Sequence, residues 1–158
     1  MTASTVTIKL KGHVKLVARD RQGNKKVLFD NHNLIVNGGL DSVVNLLAFA
    51  SSEHKITKLG FGSGSTAPSA GQTNLDSPIA IKDIIDPDGI TVKPGGAVGT
   101  VVFQVTLNFG EGNGSTVREI GLLRSDDTLF ARQTVGSIEK TASMALDAFW
   151  VISCANED

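Results

Sequence analysis

Few side chains in this sequence have the types and spacing that chemistry requires. His13, His32 and His54 are the only histidines, and each falls in a different predicted element, with no paired spacing that would ligate a metal. Glu111, within the glycine-rich stretch GEGNG, and Glu119 beyond it could form a carboxylate pair for acid–base work. Solvation of the loop, and cross-strand pairing of Glu119 with a nearby Arg, account for both more simply. Gly60, Gly62 and Gly64 have the density of a phosphate cradle, but the Lys-Ser/Thr that reaches phosphate and metal is missing. Asp86 and Asp88 sit in a DPDG turn, with too few oxygens at the right spacing for a calcium loop. No GxSxG elbow frames a serine nucleophile. Cys154 is the single cysteine, so an intrachain disulfide is excluded, and it is expected as a small buried side chain in the last strand. The reading is of a protein that is not an enzyme, with no catalytic residues, no cofactor and no metal.

The chemistry therefore has to be that of surfaces. Net charge is −1, but residues 1–30 carry seven Lys/Arg against two Asp, while the remainder carries eight against fourteen acidic residues. A basic end raises nucleic-acid binding, which is disfavoured because no aromatic stacking platform accompanies it. Solubility and edge protection by lysine, or docking on an acidic neighbour, are the alternatives. No stretch has the length of a membrane span or a signal-peptide core, which leads to the expectation of assembly in a reducing cytoplasm.

The elements that must carry these surfaces are mostly strands. Within residues 99–124, Val101, Phe103, Val105, Leu107 and Phe109 alternate with Thr100, Val102, Gln104, Thr106 and Asn108, GEGNG follows, and Ile120 and Leu122 share a face beyond it. This pattern predicts a β-hairpin with a wide glycine-rich loop. Residues 140–154 show the longest alternation, from Ala142 through Trp150 to Cys154, with Phe149 and Val151 making the second face apolar as well. Such a strand is expected to be central in its sheet or covered by a partner. Val14 and Leu16 lead to a turn at residues 20–24 and a return strand that Asn31-His32-Asn33 is expected to break. Leu40, Val43, Val44, Leu47 and Ala48 recur at helical spacing, predicting one short helix near residues 40–50. Asp41 or Ser42 is its N-cap, and its apolar face closes the core. Residues 62–74 read as a polar surface loop. The whole predicts a single mainly β domain of about eight to ten strands, an antiparallel β-sandwich with jelly-roll-like connections, over residues 1–158. Its N-terminal segment is a candidate assembly arm.

Three stretches in this order resemble small structural proteins of tailed bacteriophages. They are VKLVARDRQGNKKVLFDNHNLIVNGGLDSVVNLL, with its "NL-x-V-N-x-G-L" entry into a helix; KLGFGSGSTAPSAGQTNL, similar to a "G-x-G-x-T-x-P-x-x-x-x-T-x-L" loop; and FQVTLNFGEGNGSTVREIGLL, in which a glycine-rich turn precedes "REIGL". The resemblance implies a β-sandwich located in the virion. There it would bind neighbouring capsid or tail subunits as a decoration (cement) protein, or serve as a collar, baseplate or tail-fibre adaptor. The absence of coiled-coil heptads and fibre repeats favours decoration. It further implies other virion proteins as partners and a homo-oligomer, while the residues themselves lead to no membrane and disfavour nucleic acid as a partner. A host-surface module, binding a glycan through the same loops, is the alternative of another class. The residues expected to make subunit contacts are Lys9, Lys11, Lys15 and Arg19 in the basic segment, Thr66 and Pro68 in the polar loop, Glu111 and Asn113 around GEGNG, and Phe149 and Val151 in the last strand.

Overall fold

A computed structural model describes residues 5–156. Residues 1–4 and 157–158, and with them the ends of the expected arm and of the polar tail, lie outside the described residues. The strands are β1 (Ile8–Asp20), β2 (Lys25–Ile35), β3 (Ile56–Gly62), β4 (Pro78–Asp83), β5 (Ile90–Val92), β6 (Thr100–Leu107), β7 (Thr116–Arg124), β8 (Leu129–Glu139) and β9 (Met144–Asn156), with α1 (Asn37–Phe49) between β2 and β3. They join into one nine-stranded antiparallel sheet, in the order β4-β3-β7-β8-β2-β1-β9-β6-β5, curled into a half-barrel. The protein is mainly β with one helix, as expected. A two-sheet sandwich with jelly-roll connections is not confirmed, because a short ladder at Leu34↔Arg132 and Ile35↔Ala131 links the two halves.

The curl lets the inner rows of both halves meet. Val14 and Leu16 of β1, Leu146, Ala148, Trp150 and Ile152 of β9, and Phe103, Val105 and Leu107 of β6 face Phe61 of β3 and Ile120 and Leu122 of β7 in one core. Burying each of these large side chains contributes about 1.5–3 kcal/mol. The expected hairpin over residues 99–124 is corrected here. β6 pairs with β5 and β9, whereas β7 pairs with β3 and β8. Both strands do point their apolar rows at one core, but from opposite walls of it. Period-two alternation reports which face is buried, not which strand lies alongside. The segment 108–115 is therefore a crossover between halves. β9 is central, between β1 and β6, as its two apolar faces suggested.

Five smaller expectations change. Asn31-His32-Asn33 does not break β2, since His32 pairs with His13 and Asn33 with Gly12. Residues 8–20, in the expected N-terminal arm, lie in the sheet, paired with β9 along their length and with β2 from Gly12 on. Cys154 lies in the last strand but is exposed, because β9 runs on past the core. The helix begins at Asn37, after an N-cap at Val36 that makes no side-chain bond, so neither Asp41 nor Ser42 caps it. Ser42 instead donates its hydroxyl to the Gly38 carbonyl at 2.7 Å. Of the expected apolar stripe only Val43 packs on the core, and it does so beside small residues. Gly39 and Ser42 are buried, and a Cβ on Gly39 would stand 2.2 Å from the Phe130 carbonyl oxygen, so small residues set the close approach. Leu40, Val44 and Leu47 are left exposed.

Candidate subunit interface

The two outer faces of the half-barrel are treated differently. Over β3, β7 and β8 the outer face is sealed by the polar loop of residues 63–77. Gly60 pairs with Gly121 across β3 and β7, and the notch left by the missing side chains takes Leu75. Leu75 joins Val36, Leu123 and Leu129 in a second small core. Beside it, Glu119 and Arg132 are fully buried, and Arg132 Nε donates to Glu119 Oε2 at 2.8 Å. The Glu119 carboxylate also accepts backbone N–H bonds from Gly64, Asp76 and Ser77. Arg132 donates further to the Thr66 carbonyl, to Gln72 Oε1 and to Asp76 Oδ2. Asn37 N–H bonds the Ala70 carbonyl at 2.8 Å and Leu129 N–H bonds Thr73 at 2.9 Å, which ties the helix entry and β8 to the same loop.

This knot explains the residues that looked like chemistry in the sequence. Cβ atoms at Gly62 or Gly64 would stand within 2.6 Å of the Glu119 carboxylate, so these glycines make room for an internal anion rather than a phosphate. The expected pairing of Glu119 with an arginine is present. Glu111 is no partner to it: its carboxylate accepts from Lys82 Nζ at 2.6 Å and from Asn108 N–H at 2.7 Å. Both bonds, Lys82 first, hold its carboxyl below the usual glutamate range. Asn113 accepts from the fully buried Lys140 ammonium at 2.8 Å and donates to the Phe109 carbonyl. Thus Glu111 and Asn113 have their polar atoms committed to shaping the 108–115 crossover. Thr66 lends only its carbonyl to Arg132, and Pro68 is half-buried in the tied loop.

Among the described residues, nothing covers the outer face over β2, β1, β9 and β6 in this way. Leu10, Val14 and Leu16 of β1 pack on the core, so Lys9, Lys11, His13 and Lys15 point outward. Across the ladders one row reads Val102, Val151, His13, His32, and the next reads Gln104, Phe149, Lys15, Asp30. The structure therefore brings Lys9, Lys11, Lys15, Phe149 and Val151 onto one face. Phe149, Val151 and Val102 form a half-buried apolar strip along β9 and β6, bordered on β1 by basic side chains. His13 Nε2 contacts Asp30, and its ring meets His32 edge-on at 5.1 Å between centroids. The His13 hydrogen bond, helped by the charges of His13 and Lys15, lowers the Asp30 carboxyl below its ordinary range.

Arg19 closes one end of this face. Its Nε donates to Asp147 Oδ2 at 3.0 Å, and Thr106 donates to Asp147 Oδ1 at 2.7 Å. Burial opposes the charge on Asp147, yet these bonds and the Arg19 charge hold its carboxyl below the usual value. Arg19 and Arg21 also stand over the Phe109 ring, at 5.7 and 4.5 Å. Val102, His13 and His32 were missed in the sequence. Only the register of β1 and β6 against β9 puts them beside Phe149 and Val151. Comparison with protein-family models, with curated proteins and with solved structures finds no match.

Proposed function

We propose that the chain is a structural protein of a tailed-phage virion that binds neighbouring subunits through the outer face of β2, β1, β9 and β6. One observation carries this reading: an apolar strip of Val102, Phe149 and Val151 with a basic border stands open on one half, while the other half is sealed by its own loop. An apolar centre with a charged rim is the anatomy of a protein–protein contact, and the basic border selects an acidic neighbour. The resemblance of three stretches to phage structural proteins supports the virion as the setting. Their packing together supports reading them as one unit, since the helix entry, the 63–77 loop and the Glu of REIGL are joined by hydrogen bonds. Capsid decoration is the form of the role we favour, with collar, baseplate or tail-fibre attachment as the alternative location.

The test is cosedimentation of the purified protein with particles that lack it, beside mass spectrometry of intact virions of the phage that carries this gene. Binding of the wild type and loss of binding in Phe149→Ser is the expected result. Absence from the virion, or a wild type that stays in the supernatant, overturns the proposal.

A further inference from the structure

Two histidines stand side by side on the outer face over β2, β1, β9 and β6. His13 of β1 lies directly opposite His32 of β2, and the rings meet edge-on at 5.1 Å between centroids. His13 is half-buried and His32 exposed, so water reaches both. The ionisable groups around them come from two strands. On β1, Lys11 and Lys15 flank His13 on the same side of the sheet. On β2, Asp30 stands two residues from His32 and holds His13 Nε2. β9 opposes His13 with Val151, between Phe149 and Ser153, none of which titrates. Gln133 of β8 donates to the His32 carbonyl, and α1 contributes Leu40 across the groove that His32 shares with Lys11. The pair therefore sits where the apolar strip meets the basic border, with Val151 on one flank.

We infer that the His13–His32 pair makes binding at this face pH-responsive: protonation carries the basic border up to Val151 and tightens the hold on an acidic neighbour as pH falls. This rests on the reading of the face as a binding surface. Histidine is the side chain whose charge ordinarily changes between pH 5 and 8. Neutral rings extend the apolar strip, whereas charged rings add two positive charges beside Lys11 and Lys15. Asp30 does not cancel the gain. The His13 hydrogen bond, then the charges of His13 and Lys15, hold its carboxyl below the ordinary range, so it stays ionised while the rings take up protons. Two charged rings so close repel each other, and carboxylates on a neighbour relieve that repulsion. Proton uptake and docking thus favour one another, and by linkage each must strengthen the other equally. A face lined by lysine alone would hold one charge over the same range.

Titration of particle binding at about pH 8 and about pH 5.5, with ring NMR of the free protein over the same range, tests this. The wild type is expected to bind about five-fold or more tightly at the lower pH, by a margin that shrinks in high salt. The double variant His13→Gln/His32→Gln, checked for folding by circular dichroism, is expected to bind alike at both. Calorimetry in buffers of different ionisation enthalpy is expected to register proton uptake on binding by the wild type and none by the variant. Equal wild-type affinity at the two pH values, a pH dependence that survives in the double variant, or rings that keep one protonation state throughout overturns the inference. A wild type that binds particles at neither pH overturns the reading of the face itself, and the regulation with it.

Discussion

Arg132 Nε lies 2.8 Å from Glu119 Oε2, and neither side chain is accessible to solvent. Both groups then spend their remaining capacity on the backbone and side chains of the 63–77 loop. A buried pair of this kind is a tether more than a source of net stability, because desolvation offsets much of its attraction. Removing one partner leaves the other charge stranded. Glu119→Ala is expected to cost about 3–5 kcal/mol in chemical denaturation. It should also open residues 63–77 to limited proteolysis before the rest of the chain.

The pairing of Gly60 with Gly121 makes a steric prediction. A Cβ on Gly60 would stand 2.7 Å from Leu75 Cδ1 and 3.1 Å from Leu123 Cδ1. Gly60→Ala should destabilise by about 1–3 kcal/mol, the usual cost of overpacking. Most of that penalty should vanish in the Leu75→Ala background, giving a large coupling term in a double-mutant cycle measured by denaturation.

Asp126 predicts a pH dependence. Burial opposes its ionisation, but hydrogen bonds from Arg124 and Thr128 outweigh burial and bring its carboxyl from 3.8 down to about 2. A depressed carboxyl contributes stability that is present above the unfolded value and is lost as pH falls through the folded one. The loss should fall between pH 4 and 2, and Asp126→Asn should flatten the acid limb of the stability curve there. Arg124 also donates to the Gly38 carbonyl and to Ser42 Oγ, so the same variant is expected to loosen the docking of α1, as read by amide exchange.

The basic–apolar face predicts unequal effects on particle binding. Lys15→Glu, on the border, should weaken binding several-fold, by an amount that shrinks in high salt. Phe149→Ala, at the centre, should cost more, about 1–3 kcal/mol, with little dependence on salt. Titration of binding at two ionic strengths separates the two.

The sequence carried the burial pattern well and the partner pattern poorly. The inner rows from Val101 to Leu107 and from Leu146 to Ile152 were legible because alternation depends only on which side of a strand meets the core. That β6 and β7 lie on opposite walls was not legible, since strands facing across a core and strands lying side by side show the same alternation. The helix was misjudged for a related reason. Of its apolar stripe only Val43 meets the core, while Gly39 and Ser42 allow a closer approach to β8 than a leucine could and leave Leu40, Val44 and Leu47 outside. The signal was present as the small residues Gly39 and Ser42 beside Val43. Glu119 was readable as an arginine's partner, whereas Asp76, Gln72 and Thr66 enter that network only through the course of the 63–77 loop. Of the surface, Phe149 and Val151 stood out as a second apolar row, but the neighbours that complete their face depend on register.

As proposed, this chain is a virion protein that meets its neighbour through the β2–β1–β9–β6 face. A density map of the native particle at side-chain resolution tests it most directly. The expected map shows this chain in the particle, with Phe149, Val151 and Lys15 against an acidic-rimmed surface of an adjoining subunit. A particle without the chain, or one in which that face looks into solvent, contradicts it.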